Sequence, residues 1–81
     1  MLVKVRLFAR LRELTGASEL NREAPDGATA RDVWSRLARE FPSIADYERA
    51  VSCAVNEEYA SMTTVLRDGD EIAFLPPVSG G

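Results

Sequence analysis

The 81-residue sequence predicts a single α+β domain in which one mixed β-sheet is covered on one face by one main helix. Three observations predict this class. An amphipathic helix pattern lies in the middle of the chain, strand-like patterns lie on both sides of it, and turns containing Gly or Pro separate them. A chain of this size builds only a thin core, which suits one sheet and one long helix.

The N-terminal third predicts two strands separated by a single helical turn. Val3, Val5 and Leu7 alternate with charged residues at a period of two, which is typical of a half-buried strand. The second strand is more polar and is expected at an edge of the sheet. In order, the predicted elements are a strand over 2–9, a helical turn over 10–15 that ends at Gly16, a strand over 17–24 and a turn over 25–27.

The main helix has the clearest signal in the sequence. Thr29 is a suitable N-cap, and Asp32 three residues later completes a capping-box pattern. Pro42 is expected to end the helix. The apolar residues between them share one helical face and are interpreted as core, with the arginines on a solvated face. These apolar residues are Val33, Trp34, Leu37, Ala38 and Phe41.

The C-terminal half predicts three further strands. Cys53 is interpreted as a small buried hydrophobic residue, not as a nucleophile. Pro76 and Pro77 end the last strand because neither can donate to a sheet ladder. In order, the predicted elements are a connection over 44–51 with helical character, a strand over 52–56, a turn at 57–58, a short strand within 59–65, a turn over 68–70 and a strand over 71–75.

The resulting β-β-α-β-β-β order predicts the β-grasp, or ubiquitin-like, architecture. Its first and last strands are expected side by side and parallel in the middle of the sheet. The β-grasp domain is predicted over residues 1–75, and a flexible diglycine tail over residues 76–81.

Composition excludes several function classes. The net charge of −3 and the pI near 4.9 disfavour nucleic-acid binding, for which a pI above about 9 is typical. With no histidine and one cysteine, the sequence predicts neither a metal site nor Cys-His catalysis. It contains no signal peptide pattern and no apolar run of about 18 residues, so no membrane span and a cytoplasmic location are expected.

The tail carries the one group that is expected to react. Gly80 and Gly81 lack side chains, so they can enter a narrow channel and present the terminal carboxylate of Gly81. Pro76 and Pro77 favour a stiff, extended exit, and the tail can span roughly 20 Å. A carboxylate must be activated before it can donate its acyl group. Because the sequence has no phosphate-binding loop, we expect a separate ATP-dependent enzyme to adenylate it.

The face of the sheet away from the helix is expected to hold a docking surface. Strand alternation places Phe8 and Leu75 on that face, beside the point where the tail leaves. Tyr59 is a third candidate from the hairpin region. An apolar patch beside a reactive tail suggests a partner-binding surface, whereas the alternative is a set of scattered surface hydrophobic residues.

Three segments resemble a known family. They read RLFARLRELTG near the start, AVNEEY in the middle and LRDGDEIAFLPPVSGG at the end. In these segments the chain resembles the small, sulfur-carrier subunits of molybdopterin synthase, in the MoaD/ThiS family of ubiquitin-like proteins. The resemblance extends from Met1 to Gly81.

The resemblance implies a role in molybdenum cofactor biosynthesis. An ATP-dependent, ubiquitin-activating-like enzyme would adenylate Gly81, and a sulfurtransferase would convert it to a thiocarboxylate. The tail would then enter the large catalytic subunit of a heterotetramer and donate sulfur to cyclic pyranopterin monophosphate, which forms the molybdopterin dithiolene. The carrier itself would be a non-catalytic subunit that binds no cofactor. The partner-binding residues implied are Phe8, Tyr59, Leu75, Pro76, Pro77, Val78 and Ser79.

Other readings use the same fold. The chain could carry sulfur for thiamine or for thiolation of transfer RNA, in which case its partner enzymes would decide the pathway. It could be a protein modifier conjugated through Gly81 to lysines. It could also be a β-grasp interaction module whose diglycine is inert, for which Phe8 and Leu75 would matter and Gly81 would not.

Overall fold

The computed structural model describes residues 1–77, so the predictions on Val78, Ser79, Gly80 and Gly81 lie outside the described residues. The elements, in chain order, are β1 (Leu2–Leu7), α1 (Ala9–Thr15), β2 (Glu19–Glu23), α2 (Ala30–Glu40), a 3₁₀ helix (Pro42–Tyr47), β3 (Ser52–Val55), β4 (Glu58–Ala60) and β5 (Glu71–Leu75).

The sheet has five strands in the order β2-β1-β5-β3-β4. β1 and β5 are parallel, and the other neighbouring pairs are antiparallel. This confirms the predicted mixed sheet, its central parallel pair and the edge position of β2. The register places Val5 opposite Ile72 and Leu7 opposite Phe74.

The core lies between one face of this sheet and α2. Every second residue of β1 is buried, as predicted, and packs with Ile72 and Phe74 of β5. Trp34 of α2 meets Phe74 edge-on, with ring centroids 5.2 Å apart. Cys53 is also buried here, and its thiol donates to the carbonyl of Ala60. Burial raises the pKa of the Cys53 thiol, so this side chain is a packing residue as predicted.

The start of α2 is held by local and distant partners. The predicted capping box is present: the Asp32 N–H donates to the Thr29 hydroxyl, and the Thr29 N–H donates to the Asp32 carboxylate. The next two free N–H groups, of Ala30 and Arg31, donate to carbonyls of the loop before β5. These distant bonds satisfy donors that a helix leaves unpaired at its first turn.

Several predicted boundaries were wrong, among them both ends of the second strand, which covers Glu19–Glu23 and not 17–24. β1 ends at Leu7, two residues early, because Ala9 takes a positive φ of 50° and turns the chain into α1. The hairpin turn is formed by Asn56 and Glu57, which both have positive φ, so Glu58 belongs to β4. Paired positive φ values are typical of tight hairpin turns, and Asn adopts them readily. The helical connection starts at Pro42, not at residue 44.

The hairpin turn also fixes β5. The Asn56 side chain accepts from the Glu71 N–H and donates to the Asp70 carboxylate, each at 3.0 Å. The hydrogen bond from the Asn56 side chain, together with one from the Arg67 N–H, holds the pKa of the Asp70 carboxyl below its ordinary value. The first residues of β5 are therefore tied to the β3–β4 hairpin by side-chain and backbone bonds.

Candidate functional site

The parallel pairing of β1 and β5 brings two distant parts of the chain to one edge of the sheet. Leu7 lies opposite Phe74, so the residues that follow, Phe8 and Leu75, are neighbours. Leu7 and Phe74 are buried against α2, and side chains alternate along a strand. Phe8 and Leu75 therefore lie on the open face, where Pro76 continues the chain towards the tail.

An open cleft of about 520 Å³ lies at this edge. Five of the predicted partner-binding residues line it together, and we call them the docking surface: Phe8, Tyr59, Leu75, Pro76 and Pro77. The cleft is also lined by Ala9 and Ser52, which the sequence analysis missed. Ser52 could have been found from strand pairing, because it lies opposite Leu75.

Tyr59 forms the far wall of the cleft. It lies opposite Ala54 on β3, and Ala54 lies opposite Ala73 on β5. Tyr59 is 82% exposed, which is high for an aromatic residue in a domain of this size. An exposed aromatic ring beside an apolar cleft is typical of an interaction surface.

A charged side chain borders the docking surface on β1. The guanidinium carbon of Arg6 lies 5.2 Å from the centroid of the Phe8 ring, a cation–π arrangement. Its Nη1 atom is 3.9 Å from Oε2 of Glu71. Both side chains are partly exposed, so this ion pair contributes little to stability. The docking surface is thus apolar and has one cationic side chain at its border.

The side chains that line the cleft suit contact with a partner. Residues 1–77 contain no group of three histidine, cysteine or acidic side chains arranged to hold a metal ion. No helix in this part of the chain combines the length and apolar character that crossing a membrane requires. The cleft presents apolar and proline side chains, which supply contact area and shape to a partner.

Curated relatives match the chain over almost its whole length. The molybdopterin synthase sulfur carrier subunit of Arabidopsis thaliana is 42% identical over 79 residues, covering 98% of this chain and 82% of the relative. The subunit of the same name from Chlamydomonas reinhardtii is 36% identical over 83 residues and covers 100% of both chains.

Solved structures share the fold. The small archaeal modifier protein SAMP1 from Haloferax volcanii has a TM-score of 0.85 at 27% identity, with 100% of both chains covered. A chain in the complex of subunits 1 and 2 of the molybdopterin-converting factor from Helicobacter pylori has a TM-score of 0.69 at 26% identity, again over 100% of both chains. A neighbour of this fold is thus known in complex with a second subunit.

The fold found here, a five-stranded mixed sheet with α2 on one face, is that of these solved structures. The model of the ThiS family matches residues 5–81, which include the strands that build the docking surface. The chain therefore belongs to the ThiS family and is similar, over nearly its full length, to the sulfur carrier subunits of molybdopterin synthase.

Proposed function

We propose that this protein is the small, sulfur-carrier subunit of molybdopterin synthase. One observation of the structure supports the proposal most: through the parallel β1–β5 pair, Phe8 and Leu75 share one cleft with Pro76 and Pro77, the residues that lead to Gly80 and Gly81. A partner seated on Phe8, Tyr59 and Leu75 would receive the tail directly. The names of relatives that match across the chain support the same role.

In this proposal Gly81 is activated by other proteins. An ATP-dependent, ubiquitin-activating-like enzyme joins the Gly81 carboxylate to AMP and releases pyrophosphate. The persulfide sulfur of a sulfurtransferase then attacks the acyl carbon and AMP leaves. A thiol reduces the resulting acyl disulfide, which leaves Gly81 as a thiocarboxylate. The carrier binds no cofactor, because ATP is consumed by the activating enzyme. We place these steps in the cytoplasm, where ATP is available.

Sulfur transfer then takes place in the large catalytic subunit, within a heterotetramer. The docking surface holds the carrier while Pro76 and Pro77 direct the tail, and Val78 and Ser79 contact the entrance of the partner's channel. Gly80 and Gly81 fit a narrow channel because they lack side chains. Each thiocarboxylate donates one sulfur to cyclic pyranopterin monophosphate, and water restores the Gly81 carboxylate. Two charged carriers, used in turn, therefore supply the two sulfurs of the molybdopterin dithiolene. The carrier positions the sulfur and is itself non-catalytic.

A second candidate function is protein modification. It is favoured by the similarity to SAMP1, whose name describes a modifier. Both functions need an activated Gly81, and they differ in the group that attacks it. A sulfur donor yields a thiocarboxylate, whereas a lysine amine yields an isopeptide bond to another protein.

The deciding experiment is an intact mass measurement of the protein after incubation with ATP, its host's adenylating enzyme and a sulfur source. We expect a gain equal to sulfur replacing one oxygen, located at Gly81 by fragmentation. Transfer of that sulfur to cyclic pyranopterin monophosphate by the catalytic subunit would separate this pathway from thiamine synthesis and from transfer RNA thiolation. An unchanged mass with an active adenylating enzyme would refute the carrier function and favour an inert interaction module.

A further inference from the structure

We propose that Arg6 forms an ion pair with a carboxylate on the partner that covers the docking surface. This contact would help to decide which partners bind. The inference rests on the proposed docking function and goes beyond it, because it assigns a charge to the partner. The residue lies on the open face of β1, between the cross-strand neighbours Glu19 on β2 and Ala73 on β5.

The position of Arg6 makes it part of any interface formed at the cleft. Its guanidinium lies against the ring of Phe8, which lines the cleft. A partner cannot bury that ring without also covering the charged group beside it. The Arg6 side chain is 42% exposed, so water reaches it in the free protein.

Burial would leave this cation in need of an acceptor. A guanidinium has five N–H donors. Within residues 1–77 two carboxylates neighbour it: Glu19 is its cross-strand partner on β2, and Oε2 of Glu71 lies 3.9 Å from Nη1, which is too long for a hydrogen bond. A buried charge without hydrogen-bonding partners is strongly unfavourable. A partner carboxylate would match the forked geometry of the guanidinium and restore the bonds that water supplied.

The test measures the dissociation constant for the purified catalytic subunit of the same host, at low and high salt. We expect Arg6→Glu to weaken binding by roughly tenfold or more, because the new carboxylate would face the partner's carboxylate across the interface and repel it. Lys4→Glu is the matched control: Lys4 lies two residues away on the same strand and face, is exposed and undergoes the same charge change. We expect a change of less than about twofold for Lys4→Glu.

Two further variants keep the test decisive. Arg6→Gln removes the charge without adding a new one, and it is expected to weaken binding and to reduce its salt dependence even if Arg6→Glu folds poorly. Leu75→Asp tests the docking surface itself. If Leu75→Asp weakens binding while both Arg6 variants bind like Lys4→Glu, the docking surface stands and the carboxylate inference is overturned. Wild-type binding by Leu75→Asp would refute the docking surface as well.

Discussion

Tyr59 holds a large aromatic ring in water on a strand of only three residues. The ring makes few contacts within the domain, since its cross-strand neighbour is the small Ala54. Such a side chain adds little to folding, but it can bury much apolar area when a partner covers it. Tyrosine at the centre of an interface is often one of the few residues that dominate binding.

We therefore predict that Tyr59→Ala separates binding from stability. The free energy of unfolding is expected to change by less than about 0.5 kcal/mol, while affinity for the catalytic subunit falls at least about tenfold. The measurements are chemical denaturation and calorimetric titration. Val65→Ala is the control, because Val65 is also exposed (59%) and lies outside the cleft. A loss of affinity as large in Val65→Ala would contradict a localised docking surface.

At the scale of single residues, the sequence predicted which face of the sheet a side chain lies on better than it predicted which side chains are in contact. Alternation along β1 and β5 placed Phe8 and Leu75 on the open face because a strand has a fixed period of two. The pairing of Arg6 with Phe8 and Glu71 could not be predicted, since it depends on the parallel register and on rotamers. The left-handed Ala9 also carried no signal, because alanine has no preference for that conformation.

Among the elements, α2 depends on its first turn. Its N-terminal N–H groups are satisfied by two sets of acceptors. The capping box serves the N–H groups of Thr29 and Asp32, and carbonyls of the loop before β5 serve the two N–H groups between them. The second set also anchors the loop between β4 and β5 to the helix. The start of α2 and the position of the loop between β4 and β5 are therefore coupled, so the capping box also supports this loop.

We predict that Thr29→Ala lowers the free energy of unfolding by about 1 kcal/mol, because one N–H group loses its side-chain acceptor. For a domain of this size the unfolding midpoint should fall by about 4–8 °C. Urea denaturation and thermal unfolding measure both quantities. Thr29→Ser keeps the hydroxyl and should remain close to the wild type. An unchanged midpoint in Thr29→Ala would show that the loop carbonyls alone fix the start of α2.

The elements themselves were largely predictable, and their junctions were not. The β5 bounds and the capping box of α2 follow from local patterns, and both were confirmed. The hairpin turn was placed one residue late, because Glu57 is an unusual residue for positive φ and masked the signal of Asn56. The bonds from the loop before β5 to α2 involve backbone carbonyls, which leave no mark in the sequence.

In the whole molecule, the two faces of the sheet differ in burial. One face and α2 enclose the buried core, whose members lie between Val3 and Phe74 in the described part of the chain. The other face carries the docking surface and Arg6. Because few residues take part in both, substitutions on the open face can alter binding while the core preserves the fold.

This division leads to a prediction for the tail. Removing residues 78–81 should shift the unfolding midpoint by less than about 4 °C, because the core is complete before Pro76. The same truncation should abolish the sulfur-dependent mass gain, since the residue to be activated is gone. The truncated protein should still bind the catalytic subunit through the docking surface. Circular dichroism, intact mass and calorimetric titration test the three expectations on one sample.

Gly81→Ala provides the companion variant, because it keeps the length of the tail and adds one methyl group beside the carboxylate. If a narrow channel receives the tail, this variant should dock normally and transfer sulfur far more slowly than the wild type. A truncated protein that unfolds would show that the tail contributes to the core. A truncated protein that still supports cofactor synthesis would show that Gly81 does not carry the sulfur, and the carrier proposal would then fail. The docking surface would still be tested separately, by the binding measurements.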